Sequence, residues 1–285
     1  MKKIFAKLAA LVLALGMAGS CAQAQESINV ISREDGSGTR GAFIELFGIE
    51  QKDADGNKVD YTTDDCDITN STSVMMVSVS GNKNAIGYIS LGSLNDTVKA
   101  VKIDGVAPSV AAIKEGAYKI ARPFNIATGE AVSQQAQAFM DFIMSAEGQK
   151  VIEDKGYIPV NDEATPFVGS NLAGKVVVAG SSSVTPVMEK LKEAYLLVNP
   201  NAEIEIQQSD SSAGMNAVRD KICDIGMASR ELKESELAAG IKPLVIAMDG
   251  IAVIVSNDNP VTGLTRDQVK AIYTGEVTDW GEVTK

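Results

Sequence analysis

The chain has 285 residues, 45% of them hydrophobic and 22% charged, with 26 Lys and Arg against 37 Asp and Glu for a net charge of −11. That balance fits a globular protein large enough for one big domain or two lobes with separate cores, and it argues against nucleic acid, whose phosphate backbone needs clustered cations. The sequence has no histidine, which removes Ser-His-Asp and Cys-His catalysis and the usual zinc sites.

Residues 1–24 read as a leader. Lys2, Lys3 and Lys7 precede the apolar run "LAALVLALGMAG", which is too short for a stable span, and "AQA" at 22–24 fits a signal-peptidase site. "AGSC" offers the alternative of cleavage before a lipidated Cys21. Either route predicts an exported protein, and no later stretch predicts a membrane span.

From residue 28 strand and helix patterns alternate, which predicts an α/β architecture. "INVIS" is a strand and "GAFIELFG" opens a helix ended at Gly48; "DADGN" marks a turn or hairpin. "STSVMMVSVSG" reads as a short helix with Met75 and Met76 in the core, and "TNSTSVMMV" at its start as a helix cap in preference to a fourth donor loop. "AIGYISLGSL" and "VKAVKI" are apolar strands, and "YKIARPFNIAT" is extended around Pro123. "SQQAQAFMDFIMSAEGQKVIEDKG" predicts the longest helix, with Ala138, Phe139, Phe142, Ile143 and Ala146 on one face. Residues 161–174 read as a linker. The alternation then restarts: strand "KVVVAG", helix "TPVMEKLKEAYLLVNP", strand "AEIEIQQ", helix "GMNAVRDKI", strand "CDIGMAS". A long apolar run, "KPLVIAMDGIAVIVS", precedes a helix "LTRDQVKAIYTG" with a capping box at Thr265 and Gln268. Cys66 and Cys223 stand at strand starts, with their pairing left open; Phe43 and Trp280 read as packing residues.

Three loops share one pattern: strand, small hydroxyl-rich loop, helix N-terminus. They are "SREDGSGTR" at 32–40, "GSSSV" at 180–184 and "SDSSAG" at 209–214. A helix start presents unpaired N–H groups and a partial positive charge. Glycine admits close approach and Ser or Thr adds a neutral donor, so converging loops of this kind can cage an anion. An acidic protein can do this because distant charge is screened over about 8–10 Å. None of the three is a Walker A or dinucleotide fingerprint.

These segments, with "DIGMASREL", "MDGIAVIV", "NAIGYISLGSL" and "FMDFIMSAEGQKVIEDKGYIPV", resemble the phosphate-binding proteins of bacterial phosphate ABC transporters, over nearly all of residues 28–160 and 175–285. The resemblance implies a two-lobed type II periplasmic-binding-protein fold with a ligand cleft between lobes: one lobe of residues 26–119 and 249–285, the other of residues 120–248. The halves stand in exchanged order, however. The family opens with the part matching "GSSSV", so the chain is expected to be a circular permutant whose linker 161–174 joins the usual ends, with new ends near Ser27 and Lys285; a leader and one full set of motifs favour this over a truncated tandem array. The implied activity is capture of inorganic phosphate for an ABC importer, by a monomer without metal or cofactor and without enzymatic turnover. The alternatives are another tetrahedral oxyanion such as sulfate, or a phosphate-sensing or adhesion lipoprotein. Carried over residue by residue, Arg33 pairs with the anion, oriented by Asp35. Ser37, Gly38, Thr39, Ser182, Ser183 and Ser211 donate to it, and Val184 offers its N–H. Members of the family carry an aspartate after the strand matching "DIGMAS", where this chain has Arg230. Asp249 is therefore expected to accept the proton of a protonated phosphate, which would exclude the fully ionised sulfate.

Overall fold

The structure is a computed structural model that describes residues 26–161 and 163–283. The leader and Cys21 lie outside the described residues. In chain order, β1 (Asn29–Arg33) leads into α1 (Gly38–Leu46). A hairpin of β2 (Glu50–Lys52) and β3 (Lys58–Asp60) follows, then β4 (Asp67–Thr69), α2 (Thr72–Ser80), β5 (Ala85–Ser90) and a 3₁₀ turn at Leu91–Ser93. Short β6 (Lys99–Ala100), β7 (Lys102–Ile103) and α3 (Val110–Lys114) precede β8 (Ala121–Thr128), α4 (Gln134–Met144), α5 (Ala146–Asp154) and β9 (Ile158–Pro159). The second half runs β10 (Gly174–Ser181), α6 (Thr185–Val198), β11 (Ala202–Ser209), α7 (Ser211–Arg219), β12 (Ile225–Ala228), α8 (Glu234–Ala238) and β13 (Lys242–Val255). It closes with β14 (Gly263–Leu264), α9 (Arg266–Tyr273) and α10 (Trp280–Val283).

The main sheet has the order β11-β10-β12-β8-β13-β5-β1-β4. β13 spans its two halves. Residues 242–250 pair antiparallel with β8, and residues 251–255 pair antiparallel with β5. On either side the strands are parallel: β10 with β11 and β12, β1 with β4 and β5. Each half of the sheet is covered on both faces. Alternate residues of β13 prove it: Ile251, Val253 and Val255 enter a core with Phe43, Tyr88 and Trp280, while Ala252 and Ile254 enter one with Met75 and Val79. Ile225 and Met227 of β12 pack with Phe139 and Leu191, and Ala228 packs with Met215 on the opposite face. Burial on both faces explains why these strands read as continuous apolar runs. β11 is the exception: it is an edge strand, and its apolar-acidic alternation blunts that edge. The core changes between Ile120 and Phe124 on one crossing and between Ala247 and Ile251 on the other.

The expected long helix at 133–156 is two. Ser145 ends α4 and, with φ −74° and ψ 169°, caps α5 by accepting from the Gly148 amide. Gly148 sits so close to the Phe142 and Ile143 carbonyls that any Cβ there would collide; helical periodicity carried through the break because both helices bury the same side. Within the expected linker, Phe167 meets Phe142 and Tyr195, and Asn199 donates to Ser170 and Leu172. Near the two ends of the described residues, a bridge joins Ser27 and Asp279, and the Ile28 amide donates to Thr278 O at 2.8 Å. Cys66 and Cys223 are both free thiols, in different cores.

Candidate anion-binding site

Parallel strands put their carboxyl ends on one side, where the following helices begin. Here four such helix starts, two from each half of the sheet, meet. α1 is capped by Ser37, whose Oγ accepts from the Arg40 amide, and α2 by Ser71, which accepts from Val74. α7 is capped by Asp210, which accepts from the Ala213 amide at 2.8 Å. α6 starts at Val184 with no side-chain cap. The amides of Gly38 and Thr39 are the first two of α1 and have no carbonyl of their own helix to reach.

The hydroxyls of the α1, α2 and α6 starts touch, and that of α7 is linked to the Ser181 loop through Ser229. Thr39 Oγ1 and Ser183 Oγ share a hydrogen bond at 2.7 Å, and Thr72 Oγ1 lies 3.2 Å from the same serine. Arg33, buried at the end of β1, donates from Nη2 to Ser182 Oγ at 3.1 Å. Ser211 Oγ accepts from the Ser229 amide, and Ser229 Oγ meets Ser181 Oγ at 3.0 Å. Gly38 stands directly against this last group: a Cβ there would come within 2.8 Å of Ser229 Oγ and closer still to Ser211 Oγ. Gly36 O accepts from the Ser212 amide at 3.2 Å, a main-chain bond from one half to the other. Below the loop, Tyr88 Oη accepts from the Arg33 amide at 3.1 Å and stacks on Phe43, with ring centroids 3.9 Å apart. Burial pushes the Tyr88 phenol up to about 12, so it stays a neutral prop.

The structure thus brings Arg33, Ser37, Gly38, Thr39, Ser182, Ser183 and Ser211 together, and it corrects three expectations. Asp35 does not orient Arg33. It occupies the tip of the turn with its side chain 99% exposed and faces Arg40 at 3.6 Å. Glu34 takes that role, accepting from Arg33 Nε at 2.8 Å and Nη2 at 2.7 Å; one residue along the turn decides which carboxylate points inward. Val184 does not offer its amide to the loop centre, because that N–H donates to Ser181 O at 3.1 Å and its side chain is core. Asp249 is not among the converging loops. It is fully buried on β13 at the crossing, where it accepts from Arg122 Nη2 at 3.2 Å and from the Gly92 amide at 3.4 Å. Burial raises the Asp249 carboxyl to about 6 against the opposing pull of Arg122, whose own value burial lowers. Thr72, Ser181, Ser229 and Glu34 also lie in this cluster, though the sequence singled out none of them as a binding residue. "STSVMM" carried the signal for Thr72, but as a helix cap; only the tertiary fold brings it to Ser183.

The cations here are matched by carboxylates: Arg33 with Glu34, Arg40 with Asp60, Arg122 with Asp249, and Arg230 with Glu236. What remains for an anion is a set of hydroxyl and amide dipoles, which act over short range. Among the described residues no group of three or more His, Cys, Asp or Glu is placed to hold a metal ion.

Comparison with known proteins agrees with this geometry. A family model described as "PBP superfamily domain" matches residues 3–147 and 166–284. The "Phosphate-binding protein PstS 2" of Streptococcus agalactiae serotype V is 53% identical over 280 residues, covering 96% of this chain and 95% of that one. The protein of the same name from Streptococcus pneumoniae serotype 4 is 46% identical over 266 residues, covering 93% and 91%. A crystal structure of a phosphate ABC transporter phosphate-binding protein from Streptococcus pneumoniae TIGR4 superposes with a TM-score of 0.71 at 46% identity, over 90% of this chain and 100% of that one. With its α/β fold built around converging helix starts, the chain belongs to the PBP superfamily and, within it, to the PstS phosphate-binding proteins.

Proposed function

We propose that this protein captures inorganic phosphate outside the cytoplasm and delivers it to the permease of an ABC importer. The observation that carries the reading is the meeting of four helix starts, two from each half of the sheet, around hydroxyls that now bond one another. Phosphate oxygens would take over those donors: the Gly38 and Thr39 amides, the hydroxyls of Ser37, Thr39, Thr72, Ser182, Ser183 and Ser211, and Arg33 held by Glu34. Because each cation already has its carboxylate, the anion is bound by oriented dipoles, in a site made dry by closure. The carboxylates nearest the loops, Glu34 and Asp210, are the candidates to accept a phosphate proton in place of Asp249.

The two lobes are residues 26–119 with 249–285, and residues 120–248; the change of core at both crossings supports this division. Hinge motion there would open and close the cleft. The protein works as a monomeric carrier and not a hydrolase, in keeping with a sequence that has no histidine. The leader at 1–24 directs export, with Cys21 the candidate lipid anchor; no helix among the described residues is long and apolar enough to cross a membrane. The exchanged order of halves is a circular permutation, supported by the adjacency of Ser27 and Asp279. Calorimetry of the mature protein with phosphate and with sulfate tests the reading. Phosphate binding with weak or no sulfate binding is expected; equal binding of both, or of neither, refutes it.

A further inference from the structure

Arg230 follows β12 and is buried. Its guanidinium is clamped within its own half of the molecule. Nη1 donates to Glu236 Oε2 at 2.8 Å and to Glu231 O at 2.9 Å, while Nη2 donates to Glu236 Oε1 at 2.7 Å and to Ser212 Oγ at 3.2 Å. Its methylenes lie across α1 of the other half. A Cβ on Gly38 would stand 3.1 Å from Arg230 Cγ, and one on Gly41 would stand 3.7 Å from Cδ. On one side of this side chain are Gly38, Ser211 and Ser229 of the anion site. On the other is a groove of about 750 Å³ that Arg230 itself lines, with Gly41, Ala42, Leu46, Pro123 and Leu232.

We propose that Arg230 is the wall that restricts this site to free phosphate, separating the anion loops from a groove large enough for the alcohol portion of a phosphomonoester. The inference rests on the phosphate reading above. A free tetrahedral anion can present all its oxygens to donors within the loops. In an ester one oxygen carries carbon, which needs a way out, and the nearby space is on the far side of Arg230. Discrimination then comes from a side chain that cannot yield, because Glu236 and Ser212 hold its end and α1 supports its stem. Glu236 has a second effect: by pairing with the guanidinium it keeps that charge from turning onto the bound anion.

The test is calorimetry with inorganic phosphate and with glycerol 3-phosphate on the mature wild type, Arg230→Ala and Glu236→Gln, each checked for folding by thermal unfolding. The wild type is expected to bind the ester about 100-fold or more weakly than phosphate. Arg230→Ala should narrow that gap by about tenfold or more while keeping phosphate within about tenfold of wild type. Glu236→Gln, which loosens the clamp without emptying the space, should narrow it in the same direction and carries the test if Arg230→Ala does not fold. A wild type that binds no phosphate overturns the phosphate reading and this inference with it. A wild type that binds both ligands alike, or variants whose gap is unchanged, overturns the wall alone. So does loss of phosphate binding in both folded variants, since Arg230 would then belong to the anion site.

Discussion

Gly36→Ala isolates closure from ligand contact. Gly36 is not among the glycines with positive φ, so alanine there meets no left-handed backbone. The methyl would nonetheless meet the Asp210 carboxylate of the other half of the molecule, with Oδ2 2.8 Å away and Oδ1 and Cγ closer. The carboxylate must retreat by roughly 1 Å to reach ordinary van der Waals contact, and doing so gives up its cap on the Ala213 amide; such a cap contributes about 1 kcal/mol. Pushing the lobes apart also weakens the bond from the Ser212 amide to Gly36 O, another ~1 kcal/mol. If the two halves part as proposed above, both losses fall on the closed form alone, because the methyl is free once they separate. Together they predict about 2 kcal/mol, or roughly 30-fold weaker phosphate binding, with thermal stability in phosphate-free buffer nearly unchanged. Calorimetry gives the affinity, and small-angle scattering with and without phosphate reports compaction. Wild-type affinity in Gly36→Ala would refute the argument that these loops meet across the closing cleft.

Thr39→Val keeps the shape of the side chain but removes the hydroxyl that meets Ser183, and should weaken phosphate binding by about 1–2 kcal/mol, read by the same calorimetry. Glu34→Gln should weaken binding by about tenfold, since a neutral amide holds Arg33 less firmly, whereas Asp35→Asn on the exposed turn should stay within about twofold; the reverse ranking would restore Asp35 as the orienting residue. Asp249 has a folded value near 6, above its ordinary 3.8. The folded state therefore holds that proton more tightly than the unfolded chain, so its contribution is full below about pH 4 and is lost as pH rises through about 6, an upper bound of about 3 kcal/mol. Denaturant midpoints of wild type should fall across that window relative to Asp249→Asn, which lacks the titration, and parallel profiles would count against it. Because Asp249 braces the crossing, Asp249→Asn should alter phosphate and sulfate binding by the same factor; a selective rise in sulfate binding would return it to the role of proton acceptor.

Much of this protein was legible locally. A strand, a small polar loop and a helix start are contiguous in sequence, and the capping preferences of Ser and Asp are settled within one turn of backbone. That is why the loops at Arg33–Thr39, Ser182–Ser183 and Ser211 could be found without a structure, and why "KPLVIAMDGIAVIVS" stood out as a long apolar run. The α4–α5 break was less visible because Ser145 interrupts the helix without interrupting its apolar face. What sequence could not decide was direction and distance. Glu34 and Asp35 are adjacent carboxylates, and only the turn geometry sends one to Arg33 and the other to solvent. Thr72 looks like part of an ordinary helix start until the sheet carries it to Ser183, 111 residues away along the chain. Asp249 was visible as a lone acid in an apolar run, but its partner Arg122 lies on a neighbouring strand and becomes its counter-ion only when β8 and β13 pair. Local chemistry was therefore determined by sequence alone, while which groups share a site was decided by strand pairing, because non-local contacts depend on where the sheet puts the ends of its strands.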